Sequence, residues 1–371
     1  MDRRFLHAVE LSLGADGKFW NVVVKDATGR SVASAFLSLY GIDPALFVEW
    51  EWQTRLRQVR RLFPVLHRLP VVLCGTPVSA GESHLRMEAE ADRPAVVQVL
   101  EKTMLKLAQR HGSRILVFKE FDDADPALHA ALEARGYLRK ASWPMNQLPT
   151  HFRSFDELYA SARSKYRNQI QRSVKKFARS GLRIEHVQDG AVVERLYTDE
   201  VHQLYLAVLE RAEVKLEKLP AEFFRALARQ FAREIVFTMA WQAERIVGFV
   251  CSLHLAEQHF NLFCGIDYQI NELGDVYFNL LFKDSDFALR HGAKMINVGQ
   301  ASYEFKSRMG CFTRPRAFFV KLCGPFMAPL LRKLGPLLFP PPPAPPLRSF
   351  FHEGSCGDES VAGARNPQWG E

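Results

Sequence analysis

The chain has 371 residues, of which 47% are hydrophobic, and it carries a formal net charge of +8. This length and apolar content suffice for a large core and for more than one domain. No stretch reaches the roughly 18 uninterrupted apolar residues of a membrane-spanning helix, and the first residues lack the apolar core of a signal peptide. We therefore expect no transmembrane segment and a cytoplasmic location.

The six cysteines show neither Cys-x-x-Cys nor Cys/His spacing. This pattern predicts reduced thiols and no metal site. Two of them, Cys264 and Cys311, flank the region that carries the chemistry below, and we expect them to be buried apolar side chains rather than nucleophiles.

The positive charge is concentrated in one segment. Between Arg163 and Arg183 there are eight Lys or Arg residues and no Asp or Glu, so this segment accounts for the whole net charge. The other 350 residues are neutral as a set.

The first half alternates between strand and helix patterns, which predicts a mixed α/β domain over residues 1–150. The expected strands are 20–25, 32–40, 71–75 and 115–118, and the expected helices are 52–63, 94–111 and 126–135.

The second half predicts a second α/β domain over residues 151–322. Ser154 and Glu157 form a capping-box signature that starts one long helix ending near Ser180. The strands expected after it are 182–187, 235–241, 246–255 and 260–265, with helices at 193–212 and 220–231. A loop from Gly265 through Asn271, a helix from Asp275 to Arg290 and a strand at 295–298 complete the domain.

An internal repeat joins the two halves. Residues 108–116 resemble residues 288–296 at an offset of 180, and each copy is a helix end, a Gly stop and a strand. Because the flanking elements occur in the same order, we infer a tandem duplication of one fold.

Past residue 322 the composition changes, with nine of the 20 prolines lying between Pro325 and Pro346. This composition predicts a Pro-rich, largely disordered tail over residues 323–371.

Polar residues cluster just past the strand at 295–298, namely Gln300, Tyr303, Glu304 and Lys306. The carboxyl end of a strand is where α/β proteins place their ligands and reacting groups. The first copy of the repeat lacks this set, so the sequence predicts an active site in the second domain.

Several motifs of the second half resemble one group of GNAT-like N-acyltransferases. They are Gly265-Ile266-Asp267, Gly274, the helix end at 288–292, Gly299-Gln300, Tyr303-Glu304-Phe305-Lys306 and Gly310. That group includes cellulose-biosynthesis-associated acyltransferases and is related to the Fem-type aminoacyl transferases. Residues 164–172 resemble the start of the same domain, and the resemblance extends over about residues 15–322.

The resemblance implies an α/β (α+β) fold of two tandem GNAT-like domains, each a mixed central sheet flanked by helices, with the first domain degenerate. It also implies transfer of an acyl group to an amine, with acyl-CoA as co-substrate and no permanently bound cofactor. The loop at 267–275 departs from the family, because it has one Gly and two carboxylates where a Gly-rich loop holds the CoA pyrophosphate. We expect Asp275 to cap the following helix, where its charge disfavours a phosphate. Aminoacyl-tRNA and a carrier-protein thioester therefore stay open as donors.

Amine acylation needs a proton acceptor, a proton donor and groups that hold the two substrates. Glu304 and Asp267 are the candidate bases, and Tyr303 and Tyr268 are the candidate acids. The candidate substrate- or donor-binding residues are Lys306, Gln300, Lys165, Arg167, Arg172, Gly274 and Asn271. The alternative for Glu304 and Lys306 is an ion pair across a surface turn.

The basic segment has two interpretations. Tyr159, Tyr166, Ile170, Val174 and Phe177 recur at helical spacing, which predicts an amphipathic surface helix. Eight like charges also repel one another, which favours an anionic partner such as CoA phosphates, a phosphorylated sugar or lipid, or tRNA.

The sequence therefore predicts an N-acyltransferase that acts on a small-molecule or anionic amine acceptor. The first alternative is a Fem-type transferase that uses aminoacyl-tRNA, and the second is a non-catalytic binding protein with the same fold. The acceptor and the oligomeric state do not follow from the sequence.

Overall fold

The computed structural model describes residues 2–42, 68–78, 83–122, 124–212, 218–300, 302–324, 327–339, 341–342 and 350–351. The helix expected at 52–63 and most of the expected tail lie outside the described residues. The chain divides into two compact units. The first takes its described residues from Met1–Trp143, Val214–Leu219 and Pro315–Pro343, and the second from Pro144–Glu213, Pro220–Arg314 and Ala344–Glu371.

Helices and strands alternate along the described chain. The strands are β1 (Gly17–Lys25), β2 (Ser31–Ile42), β3 (Leu69–Cys74), β4 (Leu85–Met87), β5 (Ile115–Phe121), β6 (Leu138–Leu148), β7 (Arg183–Val187), β8 (Ile235–Gln242), β9 (Arg245–Leu255), β10 (Gln258–Ile266), β11 (Met295–Asn297) and β12 (Phe312–Leu322). The helices are α1 (Arg3–Leu13), α2 (Arg93–Arg110), α3 (Pro126–Ala134), α4 (Phe155–Ala160), α5 (Ser164–Arg179), α6 (Gly190–Leu196), α7 (Asp199–Arg211), α8 (Ala221–Gln230), α9 (Tyr268–Gly274), α10 (Val276–Arg290), α11 (Tyr303–Ser307) and α12 (Met327–Leu338).

The first unit is built on a mixed sheet. Strand β2 pairs antiparallel with β1, β3 and β4, and β3 pairs parallel with β5 from Val71↔Ile115 to Cys74↔Phe118. The antiparallel neighbour of β5 is β12. Helix α2 connects the parallel pair and buries Val97, Leu100 and Met104 in the core.

The second unit repeats this plan. Strands β7, β8, β9 and β10 pair antiparallel in that order, and β10 pairs parallel with β11. The antiparallel neighbour of β11 is the end of β6. Helix α10 lies between the parallel strands in sequence and buries its apolar face, including Val276, Leu280 and Ala288, in the core. The prediction of two α/β domains with mixed central sheets is therefore confirmed.

The repeated segments have the same local structure. Gly112 (φ 69°) and Gly292 (φ 73°) adopt the left-handed conformation that glycine favours after a helix. Ser113 N donates to Ala108 O at 2.8 Å, and Ala293 N donates to Ala288 O at 3.0 Å. Each helix therefore ends in the same hydrogen-bonded turn before its strand begins.

The single helix expected from Ser154 to Ser180 is wrong, because the structure breaks it into α4 and α5. At the break the chain pairs with a segment far along the sequence. Arg163 N donates to Phe350 O at 2.9 Å, and Ala162 forms a β-bridge with Phe351. Phe350 is 4% exposed and stacks on Tyr166 with ring centroids 5.2 Å apart. Two residues of the expected disordered tail are thus part of the core.

Replacing Phe350 by Ala should lower the free energy of unfolding by about 3 kcal/mol, because it removes a buried aromatic ring and leaves a cavity. Urea denaturation followed by circular dichroism would measure the change. The control is Val99→Ala on α2, whose side chain is 44% exposed, and for which we expect less than about 0.5 kcal/mol. Equal stability of wild type and Phe350→Ala would contradict this packing.

Candidate active site

Strands β10 and β11 part after a short parallel pairing. Their register runs from Gln258↔Met295 to Phe260↔Asn297, where β11 ends, while β10 continues to Ile266. The next residues follow β6 instead, since Val298 N donates to Asn146 O at 2.8 Å. We call the space between residues 261–266 and residues 298–300 the fork.

Two further contacts hold the outer branch of the fork on β6. Asn146 N donates to Gly299 O at 3.1 Å, and its side-chain Nδ2 donates to the same oxygen at 2.7 Å. Asn146 Nδ2 also lies 3.2 Å from Gln300 O. On the inner branch, β10 has a bulge between Asn261 and Phe263 opposite β9. A bulge bends its strand. The inner branch is therefore bent, and the outer branch is held on β6, at the point where the two separate.

The ammonium group of Lys306 lies in the fork. Lys306 belongs to the short helix α11 and is only 5% exposed. A Cβ atom added to Gly299 would lie 3.3 Å from Lys306 Nζ and 3.7 Å from Asn261 O. Gly299 (φ 83°) therefore leaves the space that the ammonium uses. Among the described residues, no acceptor lies within hydrogen-bond distance of Nζ.

The described residues around Lys306 carry no compensating charge. Burial lowers the pKa of Lys306 to about 8, and the nearby Cys311 and Cys264 offset this only in part. Burial raises the pKa of Cys264 to about 11 and that of Cys311 to about 12. Tyr277 lies close to both of these thiols, and burial holds its pKa well above 10. At neutral pH the thiols and the phenol are uncharged, so neither cysteine is activated as a nucleophile.

The first unit has a corresponding fork, which is occupied by the side chain of Lys119. Its parallel strands also part after Cys74↔Phe118. At the repeat offset of 180 residues, Lys119 stands where the second unit has Gly299. Lys119 Nζ donates to Thr76 O at 3.1 Å and to Pro77 O at 3.2 Å. The first fork thus holds a paired ammonium, whereas the second holds an unpaired one.

The site residues predicted on and before α11 do not lie together. Glu304 is exposed and pairs with Arg308 at 2.9 Å. The alternative of a surface pair between Glu304 and Lys306 is wrong, because Lys306 points inward. Gln300 contributes its carbonyl oxygen to the contact with Asn146. The side chain of Tyr303 lies outside the described part of the chain.

The loop expected from Gly265 through Asn271 is also wrong, because Tyr268–Gly274 forms helix α9. Asp267 is its N-cap and accepts from Gln269 N at 3.1 Å and Ile270 N at 3.4 Å. Its other oxygen pairs with Arg245 at 2.6 Å. The start of α9 and Arg245 therefore each engage one oxygen of this carboxylate.

Tyr268 and Gly274 fix α9 in place. The Arg211 guanidinium lies 3.7 Å from the centroid of the Tyr268 ring, and burial raises the pKa of Tyr268. A Cβ on Gly274 would lie 2.9 Å from Leu182 Cδ1. The absence of a side chain at Gly274 thus permits the close approach of Leu182.

The expected capping of α10 by Asp275 is wrong as well. Asp275 precedes the helix with φ 47° and makes no capping hydrogen bond with its side chain. Its carboxylate pairs with Lys176 at 2.7 Å, and Asn271 Oδ1 accepts from Tyr277 N at 2.9 Å instead. The N-terminus of α10 is therefore occupied by groups of the chain itself.

A basic surface lies beside this helix start. Arg172, Lys175, Lys176 and Arg179 of α5 line a cavity of about 320 Å³ together with Leu273, which is 60% exposed. We call these four cations the basic surface.

A second cavity of about 300 Å³ shares Arg172 and Lys176 with the first and extends to Phe278 and Arg308. The basic surface therefore leads towards α11, which carries Lys306. Within the described residues, Arg172, Lys175 and Arg179 have no carboxylate partner.

The other predicted basic contacts lie elsewhere on α5. Lys165 and Arg167 are near its beginning and line neither cavity. Val174, expected on the apolar side, is 47% exposed, whereas Tyr166 and Ile170 are buried as expected.

Sequence reasoning missed the roles of Gly299, Asn146 and Asn261, although Gly299 is part of a family motif. The comparison of Lys119 with Gly299 in the repeat could have drawn attention to the first of these. The other two carry no motif, because their roles depend on strands distant in sequence.

In the described part of the chain, no group of three or more His, Cys, Asp or Glu residues could hold a metal ion. None of the described helices has the length and apolar character needed to cross a membrane.

The architecture is that of tandem GNAT proteins. It resembles a tandem GNAT protein from the clavulanic acid biosynthesis pathway (TM-score 0.51, 14% identity, covering 88% of this chain and 89% of that one). FemX is similar at TM-score 0.53 and 11% identity, covering 89% and 93%. L-PGS from Bacillus licheniformis is similar at TM-score 0.51 and 14% identity, covering 91% and 97%. At these identities the likeness shows the fold.

The family follows from the sequence itself. Residues 5–322 match the FemAB-like family, described as peptidoglycan biosynthesis/recognition. The chain belongs to this family, and the predicted relationship to GNAT-like and Fem-type transferases is confirmed. A search of curated proteins gives no match.

Replacing Lys306 by Met should stabilise the protein at neutral pH. The unfolded lysine has a pKa near 10.5 and the folded one about 8, so the unfolded state binds the proton more tightly. Wild-type stability should therefore rise with pH between about 8 and 10.5, and the variant should lack this rise. The expected gain at pH 7 is on the order of 3 kcal/mol.

The matched control is Lys119→Met in the first fork. It leaves the buried carbonyl groups of Thr76 and Pro77 without a donor, so we expect a loss of about 1–3 kcal/mol. Thermal unfolding of both variants from pH 6 to 11 would measure these changes. A destabilised Lys306→Met would contradict the unpaired state of Nζ.

Proposed function

We propose that the protein transfers an acyl group from an activated carboxyl donor to an amine, at the fork of the second unit. The amine nitrogen attacks the donor carbonyl carbon, the bond to the leaving oxygen or sulfur breaks, and the nitrogen loses a proton to a base. Negative charge develops on the carbonyl oxygen and on the leaving group. A preorganised cation in a dry site stabilises such charge most effectively.

The observation that carries this proposal is the ammonium of the buried residue Lys306, which has no partner among the described residues. Most buried charges are paired, because an unpaired one costs several kcal/mol. Lys306 is 5% exposed and stands ready to donate to an oxyanion or a phosphate. The paired Lys119 of the first fork supports placing the reaction in the second unit.

The base is the second part of the proposal. Asp267 already caps α9 and pairs with Arg245, so a structural role accounts for its contacts. Glu304 lies on α11 two residues from Lys306, and its exposed carboxylate pairs with Arg308 but caps no helix backbone that the structure records. We therefore assign the proton acceptor to Glu304, acting directly or through water, and leave Tyr268 and Tyr303 as candidate proton donors.

Two observations favour aminoacyl-tRNA over acyl-CoA as the donor. Asn271 and Asp275 occupy the N-terminus of α10, where a CoA pyrophosphate would need free N–H groups. In the basic surface beside it, three cations have no carboxylate partner within the described part of the chain, and a polyanion would neutralise them. Acyl-CoA, the donor that the GNAT fold favours in general, is the alternative. The acceptor is an amine, small or anionic.

Binding measurements separate the two donors. Filter binding of charged tRNA should show an affinity that falls steeply with salt. The variant Arg172→Gln/Lys175→Gln/Arg179→Gln should reduce the slope of log K against log salt by about 2–3, since each lost phosphate contact contributes about 0.7–0.9. Thermal shift with CoA and acyl-CoA should show no stabilisation.

The matched control removes the same charge from the first unit, as Lys102→Gln/Lys106→Gln/Arg110→Gln on the exposed side of α2. It should leave the slope unchanged. Stabilisation by acyl-CoA without tRNA binding would replace the proposed donor by the alternative. Binding of neither donor would favour the non-catalytic interpretation.

Glu304→Gln should reduce kcat about 100-fold with little change in KM, because it removes the proton acceptor and no binding contact. Asp267→Asn should lower thermal stability and retain turnover per folded molecule. Steady-state kinetics with the donor identified above would measure both. Near-normal turnover in Glu304→Gln would show that this base assignment is wrong, and a similar loss of turnover in Asp267→Asn would move the assignment to Asp267.

A further inference from the structure

A buried carboxylate lies between α10 and the sheet of the second unit. Asp284 is 1% exposed. It accepts from Ser252 Oγ at 3.0 Å, Thr238 Oγ1 at 3.1 Å and Asn261 Nδ2 at 3.4 Å. Its Oδ2 also lies 2.9 Å from His259 Nε2. These four partners come from β8, β9 and β10, so one side chain ties three strands to the helix.

Such a group is costly at a helix–sheet interface. Removing a carboxylate from water is unfavourable even when it is hydrogen-bonded, and an apolar residue of similar size fills such a place at lower cost. The first unit has that apolar solution, since Met104 of α2 stands at the equivalent position, 180 residues earlier, and is fully buried. The fold therefore does not itself require a carboxylate there.

The position of the network indicates its role. His259 and Asn261 flank Phe260, the last residue of β10 that pairs with β11. The bulge of β10 begins at Asn261, and the carbonyl oxygen of Asn261 faces Gly299 across the fork. Asp284 thus holds the strand at the point where it leaves its neighbour.

We propose that Asp284 is a positioning residue that maintains the bulge of β10 and thereby keeps the fork open around Lys306. Its hydrogen bonds with His259 and Asn261 fix the distance between β10 and α10. They also favour the bulged backbone of β10 over regular strand pairing. Without them, the backbone at 261–263 relaxes and the ammonium of Lys306 moves towards solvent. The importance of this position for catalysis rests on the proposed function, whereas the position of Lys306 itself does not.

The test is the pKa of the Lys306 amine in Asp284→Asn, obtained from the pH dependence of its labelling by an amine-specific reagent, with the modified peptide quantified by mass spectrometry. Asparagine has the shape of aspartate, but its amide can accept at one atom only. Starting from a pKa of about 8, we expect a rise of at least one unit, which is a tenfold change in the acid dissociation constant. The nearby Cys264, Cys311, Tyr268 and Tyr277 are distinguished from Lys306 at the peptide level.

The matched control is Glu101→Gln in the first unit. Glu101 is also 1% exposed and is bound by Arg135 and Lys321, so its replacement tests general destabilisation. It should leave the pKa of Lys306 unchanged. An equal shift in this control would overturn the proposal.

Ser252→Ala provides a milder variant in case Asp284→Asn fails to fold. It removes one donor, and the pKa of Lys306 should rise in the same direction by a smaller amount. A pKa that stays at the wild-type value or falls, in folded Asp284→Asn or Ser252→Ala, would overturn the proposal. Because labelling needs no substrate, absence of transferase activity would refute the proposed function and leave this result intact. In an active preparation, Asp284→Asn should lower kcat and leave the donor KM unchanged.

Discussion

The separation of two parallel strands is the constraint from which the rest of the site follows. Backbone groups that lose their sheet partner inside a protein must be satisfied or covered. The first unit covers its fork with Lys119, whose ammonium donates to two carbonyl groups. The second unit has Gly299 at that position and admits Lys306 without a partner. The exchange of Lys119 for Gly299 thus distinguishes a fork whose ammonium is hydrogen-bonded from one whose ammonium can bind a ligand.

The electrostatics of the second unit extend this difference. A single ammonium surrounded by neutral thiols and a phenol makes the fork attractive to an anion, and the basic surface continues that potential to the exterior. The start of α10 offers less than helix starts usually do, because Asn271 takes up a backbone N–H and Asp275 adds a negative charge. The proposed polyanionic donor is consistent with this combination of an open fork, a basic surface and an occupied helix start.

Local patterns predicted much of the fold, and they failed where distant residues decide. Helix ends at Gly112 and Gly292 and the strands after them follow from nearby residues, and they were predicted correctly. The break before α5 was not, since it depends on Phe350 and Phe351. Asp275 was predicted to cap α10, but its carboxylate pairs with the distant Lys176 instead. Asp267 caps α9, a helix that was not predicted.

The sequence by itself determined the concentration of charge in residues 163–183, the repeat, the family and the polar set after β11, because each of these is a matter of composition or short-range order. Only the tertiary structure decided that Lys306 is buried and unpaired, that Glu304 faces Arg308, and that Asp284 binds three strands. The burial and the hydrogen-bond partners of these side chains depend on residues such as Asn146 and Asn261. These residues lie far from α11 in sequence, and strand pairing brings them to the same site. The site is therefore a property of the sheet rather than of any one motif.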